Sequence, residues 1–151
     1  MDDERKVMDK AMRLLAVRAH STAELREKLF SKGFSRNLVD FALSECVRLR
    51  FLDDRLFAES YLLELQGRGY GGRKCRVAMQ RKGLAAELIN ELLDGVCRDD
   101  EAERAGELLK RKLKSLSRET DPRKRKEKAL RFMVSRGFPI GMVLELYDRM
   151  D

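Results

Sequence analysis

A basic residue, a glycine and an apolar residue occur in succession three times, as Lys32-Gly33-Phe34, Lys82-Gly83-Leu84 and Arg136-Gly137-Phe138, with the glycines 50 and 54 residues apart. An internal period of this length constrains the fold more than any single motif, because each period must then be one supersecondary unit. The flanking positions repeat as well. Four residues before each glycine stand Leu29, Met79 and Met133; five after it, Leu38, Leu88 and Met142; six after it, Val39, Ile89 and Val143; nine after it, Ala42, Leu92 and Leu146. Apolar residues three and four apart share one face of a helix, so the pattern predicts two amphipathic helices on either side of a turn. Glycine there can adopt the left-handed conformation that ends a helix, and the basic residue before it lies at the negative end of the helix dipole.

Each unit also carries a leading helix, expected over residues 5–18, 54–66 and 100–117, with stripes such as Ala11/Leu14/Leu15 and Phe57/Tyr61/Leu65. The third helices of the first two units are expected over residues 37–49 and 87–97. The expected architecture is therefore all-α: nine helices in three tandem three-helix repeats, residues 1–52, 53–98 and 99–151. No segment sustains the period-two alternation of a strand. Local signals agree with this division. Ser21-Thr22-Ala23-Glu24 has the form of a capping box, Ser35 can cap the next helix, Asp121-Pro122 offers a cap followed by proline in the first helical position, and Pro139 can take that position in the last helix. Leu25, Leu29, Phe34, Val39, Phe41, Ala42, Phe57, Tyr61, Met79, Ile89, Leu92, Met133, Val143 and Leu146 are the expected core.

Charged residues make up 39% of the chain, enough to solvate the outer face of every helix, and the formal net charge of +7 favours a polyanion or an acidic protein surface as partner. The excess is local. Residues 110–128 hold ten basic and three acidic side chains, so this strip carries the whole excess and the remainder of the chain is balanced. A second basic run, Arg68, Arg73, Lys74, Arg76, Arg81 and Lys82, surrounds Tyr70 in the middle unit.

The inventory for catalysis is thin. His20 is the only histidine and stands just before a helix start, which excludes a histidine-based metal cluster and makes it a turn residue. Asp53-Asp54 reads as a helix cap, not as a pair of metal ligands. Gly67-Arg68-Gly69-Tyr70-Gly71-Gly72-Arg73-Lys74 lacks the order and the preceding strand of a phosphate-binding loop. It serves either as a basic connection that contacts a partner through Tyr70 or as a plain loop between two helices. Cys46, Cys75 and Cys97 form no Cys-x-x-Cys pair and are expected as reduced core thiols. No enzyme activity, metal or cofactor is expected. The start, Met1-Asp2-Asp3-Glu4, lacks the order of a signal peptide and no apolar run is long enough to span a bilayer, so a cytoplasmic monomer with no membrane partner is expected.

Arg18-Ala19-His20-Ser21 with Glu24-Leu25, Lys28-Leu29 and Lys32-Gly33-Phe34 resembles the opening signature of the RecX regulators. Phe51-Leu52-Asp53-Asp54-Arg55-Leu56-Phe57-Ala58 resembles the segment leading into that family's second repeat, and Arg68-Gly69-Tyr70-Gly71-Gly72 with Lys74 and Lys82-Gly83-Leu84 resembles the core of that repeat. The likeness runs from about Ala11 to Leu93 and weakens towards the C-terminus. It implies an elongated, curved array of three-helix repeats that lodges in the RecA–DNA filament groove and modulates, in the inhibitory direction, strand exchange and coprotease activity in DNA recombination, repair and the SOS response. The RecA filament is then the partner, with single- or double-stranded DNA bound weakly. The expected partner-binding residues are Arg68, Tyr70, Arg73, Lys74, Arg76, Arg81, Lys82, Arg123, Lys124, Arg125 and Lys126.

The rival reading is a stand-alone helical nucleic-acid-binding protein, since helix-turn-helix modules also join helices through a glycine-containing turn. Against it, the third-helix faces at 37–49 and 87–97 lack the concentrated Arg, Asn and Gln that base readout needs.

Overall fold

A computed structural model describes residues 2–150, which contain nine α-helices and no strand. They are α1 (Asp2–Val17), α2 (Thr22–Ser31), α3 (Arg36–Arg48), α4 (Asp54–Gly67), α5 (Gly72–Arg81), α6 (Ala86–Asp94), α7 (Arg98–Ser115), α8 (Pro122–Ser135) and α9 (Ile140–Met150). The helices fall into the expected triplets, each with its basic-glycine turn between the second and third members.

The three turns have one geometry. After α2 the Gly33 N–H donates to the Phe30 carbonyl at 2.9 Å and the Phe34 N–H to the Leu29 carbonyl at 3.4 Å, with Gly33 at φ 92°. The same two bonds recur at Gly83 and Leu84 after α5 and at Gly137 and Phe138 after α8, with φ of 73° and 95°. This crossed pair satisfies carbonyls that the last helical turn leaves open, and it requires a left-handed residue at its centre. Arg50 closes α3 in the same way at φ 64°, the one non-glycine residue at positive φ among those described.

Helix starts follow the local chemistry. The Ser21 hydroxyl accepts from the Glu24 N–H while the Glu24 carboxylate accepts from the Ser21 N–H, each at 3.1 Å, a complete capping box. Ser35 caps α3, Asp53 accepts from the Leu56 N–H at 3.1 Å ahead of α4, and Asp121 caps α8 with Pro122 as its first residue. Pro139 lies one position earlier than expected. Its carbonyl accepts from the Val143 N–H, so it precedes α9 and Ile140 is the first helical residue.

Two compact units result, Met1–Tyr61 with Met79–Ile89, and Leu62–Ala78 with Asn90–Asp151. The first holds α1–α3 and the second α7–α9, while α4, α5 and α6 each contribute residues to both. The core of the first unit is Val7, Ala11, Leu25, Leu29, Val39, Ala42, Leu43, Cys46 and Leu52, with Phe34 and Phe41 half-buried against it. That of the second is Ala105, Leu109, Ala129, Met133, Phe138, Met142, Val143 and Tyr147. Met79 and Ile89 are also buried, whereas Phe57, Tyr61, Leu92 and Leu146 are half-buried. One thiol departs from expectation. Cys97 is exposed, because α6 stops at Asp94 and Cys97 becomes the residue before α7 rather than the end of a core helix.

Candidate functional site

Arg18, His20 and Glu24 precede Arg68, Tyr70 and Lys74 by fifty residues, the interval that separates Gly33 from Gly83. Lys82 and Arg136 hold corresponding places too, each just before its turn glycine. These two sets build a joint in each unit, where the second helix of one triplet starts against the turn of the next.

In the first unit the Ser21 hydroxyl donates to the Lys82 carbonyl at 2.5 Å, and the Lys82 ammonium reaches Glu24 Oε2 at 2.9 Å. Arg18 donates to the same carboxylate at 2.9 Å, and the Lys82 ammonium also lies 5.3 Å from the centre of the Tyr61 ring. Burial pushes the Glu24 carboxyl up, but the hydrogen bonds from Arg18, Lys82 and the Ser21 N–H outweigh it and hold the group at about 2. Asp54, at the start of α4, accepts from the Thr22 N–H at 2.8 Å and from its hydroxyl at 3.0 Å, so the leading helix of the second triplet satisfies a free donor of α2. His20 lies in the turn before α2 and is buried. Its Nδ1 is 2.9 Å from the Arg18 carbonyl and its Nε2 is 2.8 Å from the Lys28 ammonium. An ammonium only donates, so Nε2 is the acceptor and Nδ1 carries the proton. Burial, followed by the nearby positive charges of Arg18 and Lys28, lowers its pKa despite the bond to the Arg18 carbonyl.

The second joint brings the corresponding segments together through backbone bonds in place of the Ser21 hydroxyl, and it carries a different charge. The Gly71 N–H donates to the Arg136 carbonyl at 2.7 Å and the Arg73 N–H to the Gly137 carbonyl at 3.2 Å. A Cβ on Gly71 would lie 2.7 Å from the Gly137 carbonyl carbon, so the approach needs glycine. Glu101, near the start of α7, accepts from the Gly72 N–H at 2.7 Å, as Asp54 does from Thr22. Where Glu24 stands in the first joint, Lys74 stands in the second. Its ammonium sits 4.2 Å from the centre of the Tyr70 ring, and the Arg136 guanidinium lies 5.8 Å from Tyr70 and 5.0 Å from Phe132. Lys112 continues the series at 4.7 Å from Phe132. Lys112, Phe132, Arg136, Tyr70 and Lys74 form a ladder of alternating cations and rings. Among the described residues no carboxylate pairs with Lys74, Arg136 or Lys112, and Arg68 pairs with Glu64 at 3.1 Å on the open surface.

The expected site residues are thus divided. Arg68, Tyr70 and Lys74 come together, and Arg136 joins them as its Nη1 donates to the Arg68 carbonyl at 3.3 Å. Arg73 is exposed on α5, and Arg76 donates to Asn90 Oδ1 at 2.5 Å. Arg81 and Lys82 belong to the first unit, where Arg81 is exposed and Lys82 is held by Glu24. On α8 Arg123 faces Glu127 at 3.9 Å, Lys124 is exposed, Arg125 donates to the Leu113 carbonyl at 3.2 Å, and Lys126 lies 5.4 Å from the Tyr147 ring centre. Arg136 and Phe132 are not among the expected contacts, whereas Lys112 lies in the basic strip at 110–128. The available signal for Arg136 was its place in the third basic-glycine triplet, matching Lys82.

A guanidinium and an ammonium held over aromatic faces, with no internal carboxylate to neutralise them, are suited to an external anion, and the fork of Arg136 can bind a phosphate or carboxylate through two donors. The described residues contain no group of three or more His, Cys, Asp or Glu that could hold a metal ion, and no helix among them is long and apolar enough to cross a membrane.

Three family models match the chain in order: the first three-helix domain of RecX at residues 8–46, the second at 53–93 and the third at 99–146. A protein named regulatory protein RecX from Chlorobaculum tepidum is 38% identical over 141 residues, covering 91% of this chain and 85% of the relative. Relatives of the same name from Haemophilus influenzae and Thermus thermophilus are 37% and 34% identical, covering 83% and 91% of this chain and 82% and 87% of their own lengths. A crystal structure of RecX from Lactobacillus salivarius superposes with a TM-score of 0.87 over 99% of this chain and 97% of that one, at 18% identity, which shows a shared fold. A second, described as a crystal structure of regulatory protein RecX, gives 0.85 over 97% and 72%, at 20% identity. With all three domains matched in order and relatives this similar over most of their length, the chain belongs to the RecX family of regulatory proteins.

Proposed function

We propose that this chain binds the RecA–DNA filament and inhibits its recombinase and coprotease activities, using the Tyr70 ladder as a principal contact. The observation that carries this reading is the contrast between the joints. Glu24 neutralises Arg18 and Lys82 in the first unit, whereas Lys74 replaces it in the second and leaves Lys74 and Arg136 without an internal counter-ion. The missing anion is then supplied by the partner, as a phosphate of the bound DNA or a carboxylate of the filament protein. The exposed cations Arg73, Arg81 and Lys124 add long-range attraction that speeds association. Arg76, Lys82, Arg123, Arg125 and Lys126, each occupied by an internal partner, contribute less. The relatives' shared description as regulatory proteins, with no catalytic cluster in the site described above, favours action by binding.

The test is inhibition of RecA strand exchange by the intact protein and by two double variants. Lys74→Gln with Arg136→Gln should raise the concentration needed for half-inhibition by about tenfold, the loss expected for one or two charge-assisted contacts. Arg13→Gln with Arg36→Gln, at exposed positions away from either joint, should leave it nearly unchanged. Equal losses from both pairs would reduce the interaction to net charge and overturn the role of the ladder. Parallel titrations of bare DNA and preformed filament over a range of salt separate a filament regulator from a general nucleic-acid binder, which would bind both alike with a steep salt slope.

A further inference from the structure

The second unit contains a cleft of about 240 Å³ whose lining includes three arginines, Arg73, Arg76 and Arg104. Arg104 is the unusual one. Its Nε is buried with no hydrogen-bond partner, alone in this among the described side chains, and no carboxylate pairs with its guanidinium. A buried N–H of a charged group left unbonded is costly, and native structures keep few of them without a ligand. Arg73 is exposed, and its side chain has no partner among the described residues, while Arg76 is held by Asn90.

Two carboxylates also line the cleft, Asp94 and Glu101, and the latter is occupied by the Gly72 N–H. Three positive and two negative side chains leave room for one anionic group. A nucleic-acid strand would bring further phosphates against Asp94 and Glu101, whereas a peptide can bring one carboxylate together with backbone N–H donors that Asp94 accepts. Leu62, Leu93 and Val96 give the cleft an apolar wall suited to a neighbouring aliphatic side chain. The volume falls below the roughly 300–1,000 Å³ usual for whole small-molecule ligands, which suits one or two anchoring side chains better than a cofactor.

We propose that this cleft is a recognition pocket for an acidic peptide segment of a partner protein, with a carboxylate bound by Arg104 and Arg73 and an adjacent aliphatic side chain against Leu62, Leu93 and Val96. Tyr70 lines this cleft and also belongs to the ladder, but the cleft's arginines are not those of the ladder, and the pocket does not depend on the filament reading.

Binding of a labelled, end-capped peptide of alternating leucine and glutamate to the intact protein, followed by fluorescence anisotropy, tests the pocket. Arg104→Met and Arg73→Gln should each weaken binding by about tenfold, Lys74→Gln should change it by less than about twofold, and the peptide with glutamine for glutamate should bind far more weakly. Circular dichroism and melting temperature show whether Arg104→Met is folded; Arg73 is exposed, and its variant carries the test alone if Arg104→Met is not. Unchanged affinity in the arginine variants, equal binding of the glutamine peptide, or displacement of the peptide by oligothymidylate at equal charge concentration would each overturn the proposal, the last by assigning the cleft to phosphates. Retained peptide binding in the Lys74→Gln, Arg136→Gln protein separates the fate of the pocket from that of the ladder.

Discussion

The ammonium of Lys82 lies 2.9 Å from the carboxylate of Glu24, a contact between residues 58 apart in the chain that ties the turn of the second triplet to the start of α2. Glu24 also accepts from Arg18 and completes the capping box, so Glu24→Gln removes the charge from three interactions at once. It should cost about 1–3 kcal/mol in a denaturant titration at pH 7. The folded-state pKa of about 2 lies below the ordinary value of 4.5, so this stabilisation is present above about pH 4.5 and is lost as pH falls towards 2. The gap between parent and variant should therefore close near pH 2. A gap that persists there would mean that shape, not charge, is what Glu24 supplies.

His20 gives a second, separate pH window. Its folded-state pKa is lowered from 6.5, first by burial, so the unfolded chain takes up a proton before the folded one does. The contribution of neutral His20 is fully present above pH 6.5 and declines as pH falls through that value. His20→Gln should flatten the dependence of the denaturant midpoint on pH between about 5 and 7. An unaltered slope in that range would show that protonated His20 is tolerated beside Lys28.

The turn glycines should not be equivalent. A Cβ on Gly33 would meet nothing within 4 Å, so Gly33→Ala suffers only from φ of 92°, about 1–2 kcal/mol. At Gly137 the same atom would lie 2.5 Å from the Lys74 nitrogen and 2.7 Å from its Cβ, and at Gly83 it would overlap Ala23. Gly137→Ala and Gly83→Ala must therefore also open a joint, and their midpoints should fall well below that of Gly33→Ala. Similar losses at all three would show that the joints yield without cost.

Thiol reactivity should separate the cysteines. Burial, with the negative charge of Glu101, pushes the Cys75 thiol up to about 11, and burial with Glu45 nearby raises Cys46. At pH 8 neither carries much thiolate, the form that reacts with alkylating agents, whereas Cys97 is exposed. Intact-mass measurement after iodoacetamide treatment should show one adduct on the native protein, at Cys97, and three after unfolding. A second rapid native adduct would show that α3 or α5 opens readily.

These contrasts mark what was legible in the sequence. The helix triplets, the turns at Gly33, Gly83 and Gly137, and the caps at Ser21, Ser35 and Asp121 depend on residues within one or two helical turns, and their chemistry is written locally. The joints are not local. Ser21 meets the Lys82 carbonyl across 61 residues, and nothing in either neighbourhood announces the partner. Arg136 was legible only as a residue at the end of a helix; the close approach of Gly71 to Gly137 sets its guanidinium near Tyr70. Composition likewise found the basic strip at 110–128 but not its division, in which Lys112 faces Phe132 while Arg125 turns to the Leu113 carbonyl. His20 is in the predicted turn, yet it is buried, with its Nε2 2.8 Å from the Lys28 ammonium two turns along α2.

The repeat equivalence between Glu24 and Lys74 supports a last prediction, in which function falls while stability is kept. Lys74→Glu gives the second joint the charge that the first one has, near Arg136, whose guanidinium now meets the Arg68 carbonyl and the Tyr70 and Phe132 rings. The new carboxylate should pair with Arg136 as Glu24 pairs with Lys82, at the loss of the contact between Lys74 and Tyr70. A partly exposed pair is worth about 0–1 kcal/mol and a cation over a ring about 0.5–1 kcal/mol, so the melting temperature should stay within about 3 °C of the parent. If the ladder serves by leaving its anion site open to the partner, inhibition of strand exchange should nevertheless fall further than in Lys74→Gln, because the site is now filled as well as weakened. Inhibition that survives Lys74→Glu in a protein of unchanged stability would remove the ladder from the mechanism, whereas a large fall in melting temperature would mean that the second joint depends on Lys74 itself.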